Sequence, residues 1–158
     1  MTINDYLMTT NDHPRTRNQE PIPMLTAFII DDEAHNRDTL AKLLGRYCAE
    51  VRVAGMAHGV KSGIEAIRAL HPDLVFLDMN LGDGTGFDLL HALAPVNFRV
   101  IFVSAMDKDM IHSFRLSSME YLLKPVSPDE LKMAVERVMK ADINYFSLQL
   151  AALEGNVG

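Results

Sequence analysis

The chain has 158 residues, 48% of them hydrophobic and 23% charged, which suits one globular domain with extensions and a core that needs no covalent staple. A formal net charge of -6 and a pI near 5.4 argue against nonspecific attraction to nucleic acid or to anionic membranes. The single cysteine, Cys48, excludes an intramolecular disulfide and a multi-cysteine metal site, and no apolar run approaches the ~18 residues of a membrane helix. The chain is therefore expected to be cytoplasmic, without membrane contact and without direct nucleic-acid binding of its own.

Residues 1–24 read as a flexible tail, in which Asn, Asp, Thr and three prolines (Pro14, Pro21, Pro23) break any period. From Leu25 onward, strand-like and helix-like runs alternate. Leu25–Ile30 is a continuous apolar run of strand length. Leu40, Leu43, Leu44 and Tyr47 then recur at helical spacing. Val51–Ala57 is a second strand, and Val60, Ile64, Ile67 and Leu70 mark a second helix that Pro72 stops. Leu74–Leu77 is the third strand. Gly82, Gly84 and Gly86 make a flexible loop before a helix lined by Phe87, Leu90 and Leu93, which Pro95 ends. Arg99–Val103 is the fourth strand, Met110, Ile111, Phe114 and Leu116 mark a weaker fourth helix, and Tyr121–Leu123 is a short fifth strand. Ser127 is a good N-cap for the last helix, Pro128 a good first residue, and Asp129 and Glu130 suit the positive end of its dipole. Leu131, Val135 and Val138 form its inner face. Five β/α repeats over residues 25–140 predict an α/β domain, a doubly wound five-stranded parallel sheet covered on both faces, with right-handed crossovers.

Residues 141–158 read as a helical linker or coiled-coil extension. Met139, Ile143, Phe146, Leu150 and Leu153 are spaced 4-3-4-3, the rhythm of a left-handed seam. A frayed tail, or a helix folded back on its own domain, fits the same residues. A linker implies something to be linked, so the chain is expected to be part of a longer protein.

Chemistry concentrates where the apolar strands end. Phe28-Ile29-Ile30 runs into Asp31-Asp32, Leu74–Leu77 into Asp78, Val100–Val103 into Ser104, and Tyr121–Leu123 into Lys124-Pro125. Open parallel sheets bind ligands outside the carboxyl ends of their strands, so one rim is expected to gather three acids, a hydroxyl and a lysine. Like charges raise one another's pKa, and a divalent cation resolves the conflict. Magnesium takes one or two carboxylates, a carbonyl and several waters. A single Asp at a loop end is commonplace, and Glu33 does no more than decorate a helix start. Two acids after one apolar strand and a third after another are a different matter. Lys124, biased away from helix by Pro125, adds a point charge suited to phosphate oxygens. The six histidines (His13, His35, His58, His71, His91, His112) lack zinc spacing and are expected at the surface or helix ends. Most of the methionines, among them Met56, Met79, Met110, Met119, Met133 and Met139, are expected to fill gaps in the core.

In order and spacing, Phe28–Glu33, Leu74–Gly86, Val100–Ala105 and Tyr121–Pro125 resemble a response-regulator receiver domain of two-component signalling, over about residues 25–140. The run Phe114–Pro125 further resembles the receivers of LytTR-type transcription regulators. The resemblance implies a flavodoxin-like fold with strand order 2-1-3-4-5. It makes Asp78 the phosphoacceptor for a sensor histidine kinase or phosphotransfer protein. It gives Mg2+ to Asp32 directly, to Asp31 through water, to Asp78, and to the Asn80 backbone carbonyl. Lys124 would pair with the phosphoryl oxygens, Ser104 would hydrogen-bond one of them, and Tyr121 would be the aromatic rotamer switch. The Lys124–Pro125 peptide would be cis. The fourth helix, the fifth strand and the last helix would carry the signal, with a homodimer as the expected form and transcription as the expected output. The chain is then a phosphoacceptor that catalyses only its own phosphoryl transfer and dephosphorylation. Two departures stand out: Ser104 replaces a frequent threonine, and Ser117-Ser118 stands where Gly or Ala is usual.

Other readings compete. A haloacid-dehalogenase-type phosphatase also uses a strand-end Asp with magnesium, but it needs an acid two residues later, where this chain has Asn80. A dinucleotide fold would use the glycines, yet Gly82-x-Gly84-x-Gly86 follows the third strand and lacks an acidic ribose partner. A receiver-like domain that signals by contact alone would keep the fold without phosphorylation.

Overall fold

The structure, a computed structural model, describes residues 24–105 and 120–141. Five strands, β1 (Leu25–Ile30), β2 (Val51–Ala57), β3 (Leu74–Leu77), β4 (Arg99–Ser104) and β5 (Glu120–Leu123), form one parallel sheet in the order β2-β1-β3-β4-β5. The described helices are α1 (Ala34–Tyr47), α2 (Val60–Leu70), α3 (Gly86–Ala92) and α4 (Pro128–Lys140). This is the doubly wound arrangement expected from the strand–helix alternation. Its strand order reverses between β1 and β3, which opens a crevice at their carboxyl ends.

Alternate residues of a strand face opposite sides, and both sides are covered here. Phe28, Ile30, Val75, Leu77, Val100 and Phe102 pack against Ile67 of α2 and Leu89 and Leu90 of α3. Ala27, Ile29, Leu74, Phe76, Ile101 and Val103 pack against Leu40 and Leu44 of α1 and against Leu131, Ala134, Val135 and Val138 of α4. That double cover is why the strands read as unbroken apolar runs rather than as alternating ones. Between β1 and β2 the register shifts: Ala27 pairs with Val53 but Phe28 with Gly55, leaving Ala54 as the extra residue of a bulge.

The helix faces follow the sequence periodicity with two corrections. Tyr47 and Leu70, read as inward, are 39% and 60% exposed, because each lies in the last turn of its helix beyond the sheet it covers. The α2 helix ends at Leu70, with His71 in the left-handed conformation (φ 48°) ahead of Pro72. Ser127 caps α4 as expected, accepting a hydrogen bond from Glu130 N at 3.2 Å. Thr85 and Asp88 form a reciprocal capping box on α3, with bonds of 2.9 and 3.1 Å. The fourth helix expected around Met110–Leu116, the N-terminal tail through Pro23 and the extension beyond Ala141 lie outside the described residues. Among the described residues, no helix is long and apolar enough to cross a membrane.

Candidate functional site

Each residue of the expected constellation that ends a strand does so on the same rim. Asp31 follows β1 and donates its backbone N–H to the Ala57 carbonyl at 3.2 Å. Asp78 follows β3 and donates to the Ile30 carbonyl at 3.0 Å. Ser104 closes β4, buried, and its carbonyl accepts from Lys124 N at 3.0 Å. Ladder pairing therefore extends one residue past the strands and sets the four positions side by side. The Lys124–Pro125 peptide is cis.

Asp31, Asp32 and Asp78 each offer a carboxylate oxygen within 4.8 Å of the others. Lys124 bridges two of them: its Nζ lies 2.7 Å from Asp31 Oδ2 and 2.8 Å from Asp78 Oδ2. The Asp31 and Asp78 side chains are only 6% and 8% exposed, whereas Asp32 is exposed. The second oxygens are engaged by backbone: Asp31 Oδ1 accepts from Glu33 N at 2.9 Å and Asp78 Oδ1 from Asn80 N at 3.2 Å. Arg37, on α1, donates to the Asp31 carbonyl at 2.7 Å and braces the turn that carries the acid pair.

Burial and charge split the two buried acids. Burial pushes the Asp78 carboxyl above the usual range, and the charge of Asp31 adds to it against the pull of Lys124 and the Asn80 N–H. Burial acts the same way on Asp31, but Lys124, the Glu33 N–H and Asn36 together outweigh it and hold Asp31 below its ordinary value. For Lys124 burial works against the charge, and its two carboxylate partners prevail, so its pKa is raised. One ammonium thus pairs with two carboxylates of a cluster of three. The excess negative charge sits at a rim of oxygen donors only, the donor set of a hard divalent cation such as Mg2+ rather than of a transition metal. Asp32 and Asn80, both exposed, border it on the solvent side.

The glycine loop after β3 is a hydrogen-bonded turn rather than a bare hinge. Leu81 N donates to the Gly84 carbonyl at 3.0 Å and Gly86 N to the Met79 carbonyl at 2.9 Å. Gly86 opens α3 against the Asp78 backbone, where a Cβ would lie 2.8 Å from the Asp78 carbonyl oxygen. These glycines shape the turn beneath Asp78, which removes the dinucleotide reading. Asn80 has no acidic proton to give, and its Oδ1 accepts from Gly82 N at 3.5 Å, so the phosphatase reading lacks its general acid. Tyr121 lies in β5 opposite Phe102, partly buried in the layer shared with α2 and α3.

His35, His58, His71 and His91 are exposed, as expected. Met79 is buried and Met139 partly so, but Met56 and Met133 are 39% and 53% exposed, a correction to the core reading; an unbranched thioether suits either place. Sequence reasoning passed over Arg37 and Asp83. The first is a cation one helical turn after the acid pair, a signal that was there to be read. The contacts of the second depend on the fold.

The response regulator receiver domain family model matches residues 27–136. An uncharacterized response regulatory protein of Vibrio parahaemolyticus serotype O3:K6 is 42% identical over 118 residues, covering 74% of this chain and 48% of that protein. The sensory transduction protein LytT of Bacillus cereus is 31% identical over 119 residues, with the same two shares of 74% and 48%. The chain spans about half the length of these curated relatives. Among solved structures, the signal receiver domain of the response regulator NarL from Mycobacterium tuberculosis aligns with a TM-score of 0.66 at 25% identity, covering 76% of this chain and 99% of that one. Fold, rim chemistry and relatives agree: this chain belongs to the response regulator receiver domain family of two-component signalling.

Proposed function

We propose that Asp78 accepts a phosphoryl group from a sensor histidine kinase or a phosphotransfer protein, and that the resulting change of surface controls an output. The observation that carries this is the meeting of Asp78 with Asp31, Asp32 and Lys124 at one rim. In this reading an Asp78 oxygen attacks the phosphorus, the bond to the donor imidazole breaks, and the imidazole leaves with that electron pair. A mixed anhydride remains on Asp78. Lys124, already 2.8 Å from Asp78 Oδ2, turns to the incoming phosphoryl oxygens. The Ser104 hydroxyl bonds one of them, and Tyr121 moves into the space this opens. Such transfer needs alignment and charge neutralisation more than covalent help from the protein. Asp32, Asp78 and the Asn80 carbonyl would hold Mg2+, with Asp31 reaching it through water; bound there, the ion supplies positive charge where phosphoryl charge accumulates.

In this reading residues 25–140 are the switching domain, and the output is carried by a partner or by a further domain such as the greater length of the curated relatives would accommodate. Residues 1–24 would be a tail and 141–158 a helical connection. The relative named sensory transduction protein LytT fits a signalling role, and the proposed output is transcriptional control through a homodimer that uses β5 and α4. Incubation with acetyl phosphate tests the acceptor chemistry. A mass gain of one phosphoryl group with Mg2+, abolished by a chelator, is expected; no gain under either condition contradicts it and leaves a receiver that signals by contact alone.

A further inference from the structure

Asp83 takes no part in the chemistry above, yet both of its carboxylate oxygens are engaged. Oδ1 accepts from Val60 N at 2.8 Å and Oδ2 from Lys61 N at 3.3 Å. These are the first two N–H groups of α2, whose N-cap, Gly59, has no side chain with which to meet them. A helix start leaves such donors without intrahelical partners. Here the acceptor comes from another loop, 23 residues along the chain. The two backbone bonds, that of Val60 first, hold the Asp83 carboxyl below its ordinary range.

The fit is close on both sides. A Cβ at position 59 would lie 2.8 Å from Asp83 Oδ1, so any larger residue there would displace the carboxylate. A Cβ on Gly84, whose φ is 156°, would lie 2.9 Å from Val60 Cγ2. The loop that carries Asp83 is closed on itself: Asp83 N donates to the Leu81 carbonyl at 2.9 Å, Leu81 N to Gly84, and Asn80 bridges to Thr85. Fixing Asp83 therefore fixes the frame in which Asn80 stands. At its other end α2 packs through Ile67 in the layer that holds Ile30, the residue before Asp31. The two halves of the rim, Asp31-Asp32 after β1 and Asp78–Asn80 after β3, are thus both referenced to α2.

We propose that Asp83 is a positioning residue for the cation site: its carboxylate latches the 80–84 loop to the start of α2 and holds the Asn80 carbonyl where the ion is met. The inference rests on the reading of the rim as an Mg2+-assisted phosphoacceptor site. It is tested by calorimetric titration of the whole chain with Mg2+, alongside amide exchange without metal, for wild type, Asp83→Ala and Asp83→Asn. Asp83→Ala should weaken Mg2+ binding roughly fivefold, a modest coupling between sites, and speed exchange at Val60, Lys61 and Leu81–Gly84. Asp83→Asn loses the charge but keeps an oxygen for Val60 N, and should recover most of the affinity. Asp83→Ala with Mg2+ affinity within about twofold of wild type, even if it melts lower, overturns the proposal and leaves a plain helix cap. Equal loss in Asp83→Asn also overturns it, in favour of long-range charge. Wild type that binds no Mg2+, or Asp32→Asn that binds it as well as wild type, brings down the site reading itself and this inference with it.

Discussion

At the scale of single residues, the rim is a charge problem only partly solved by protein. Lys124 lies within 2.8 Å of two buried carboxylates, while the third, Asp32, stands exposed beside them. Removing one of three clustered acids should therefore relieve repulsion. Asp32→Asn is expected to melt no lower than wild type in a chelator, yet to lack the rise in melting temperature expected of wild type with Mg2+; a full-sized rise in the variant would place the ion elsewhere. Cys48 is the opposite case, a group with no chemistry to do. Burial, with Glu50 adding to it, pushes its thiol from an ordinary 9.0 up to about 11. The folded chain should keep its thiol proton through the window between those values while the unfolded chain loses it. Stability from this group is thus complete below the lower value and falls as pH rises through the window. A thiol reagent at mildly alkaline pH should label Cys48 in denaturant and leave the native protein untouched; prompt native labelling would contradict the burial.

At the scale of elements, the acid-bearing turns were legible because each follows a strand buried on both faces. An apolar run that stops at a charge marks the rim directly, as at Asp31, Asp78 and Lys124. What escaped was any contact that exists only once the strand order is known. Asp83 reads as a loop acid until β2 and β3 flank β1 and bring α2 beside it. Gly86 reads as one glycine of three in a mobile loop, yet α3 can start against the Asp78 carbonyl only because that position lacks a Cβ. Gly86→Ala would set a methyl 2.8 Å from the Asp78 oxygen and 3.1 Å from Leu77 Cγ. Backbone cannot yield as a side-chain tip can, so the substitution should cost about 1–3 kcal/mol in chemical denaturation. It should also slow labelling by acetyl phosphate, since the displaced backbone is that of Asp78, the proposed acceptor. Wild-type stability in the variant would show that α3 shifts freely.

At the scale of the whole molecule, one parallel sheet joins the rim to a face suited to report on it. Tyr121 stands in β5 three residues before Lys124 of the rim, and Arg137 of α4 grips Glu120 of β5 with two bonds of 2.6 and 3.0 Å. That pair is half exposed on the arginine side and contributes little stability, but it ties the last helix to the strand that carries Tyr121, the proposed switch residue. If the face signals by pairing, sedimentation should show a rise in mass toward a dimer on adding Mg2+ and beryllofluoride; an unchanged mass would rule out pairing as the output of this chain. Everything at this scale depends on where the phosphoryl group goes. The most direct test is to label the chain with acetyl phosphate and Mg2+, digest it under acid conditions that spare the anhydride, and locate the added phosphoryl group by peptide mass. The account predicts a single site at Asp78 and no stoichiometric labelling of Asp78→Asn. A phosphoryl group on any other residue, or full labelling of the variant, would contradict it.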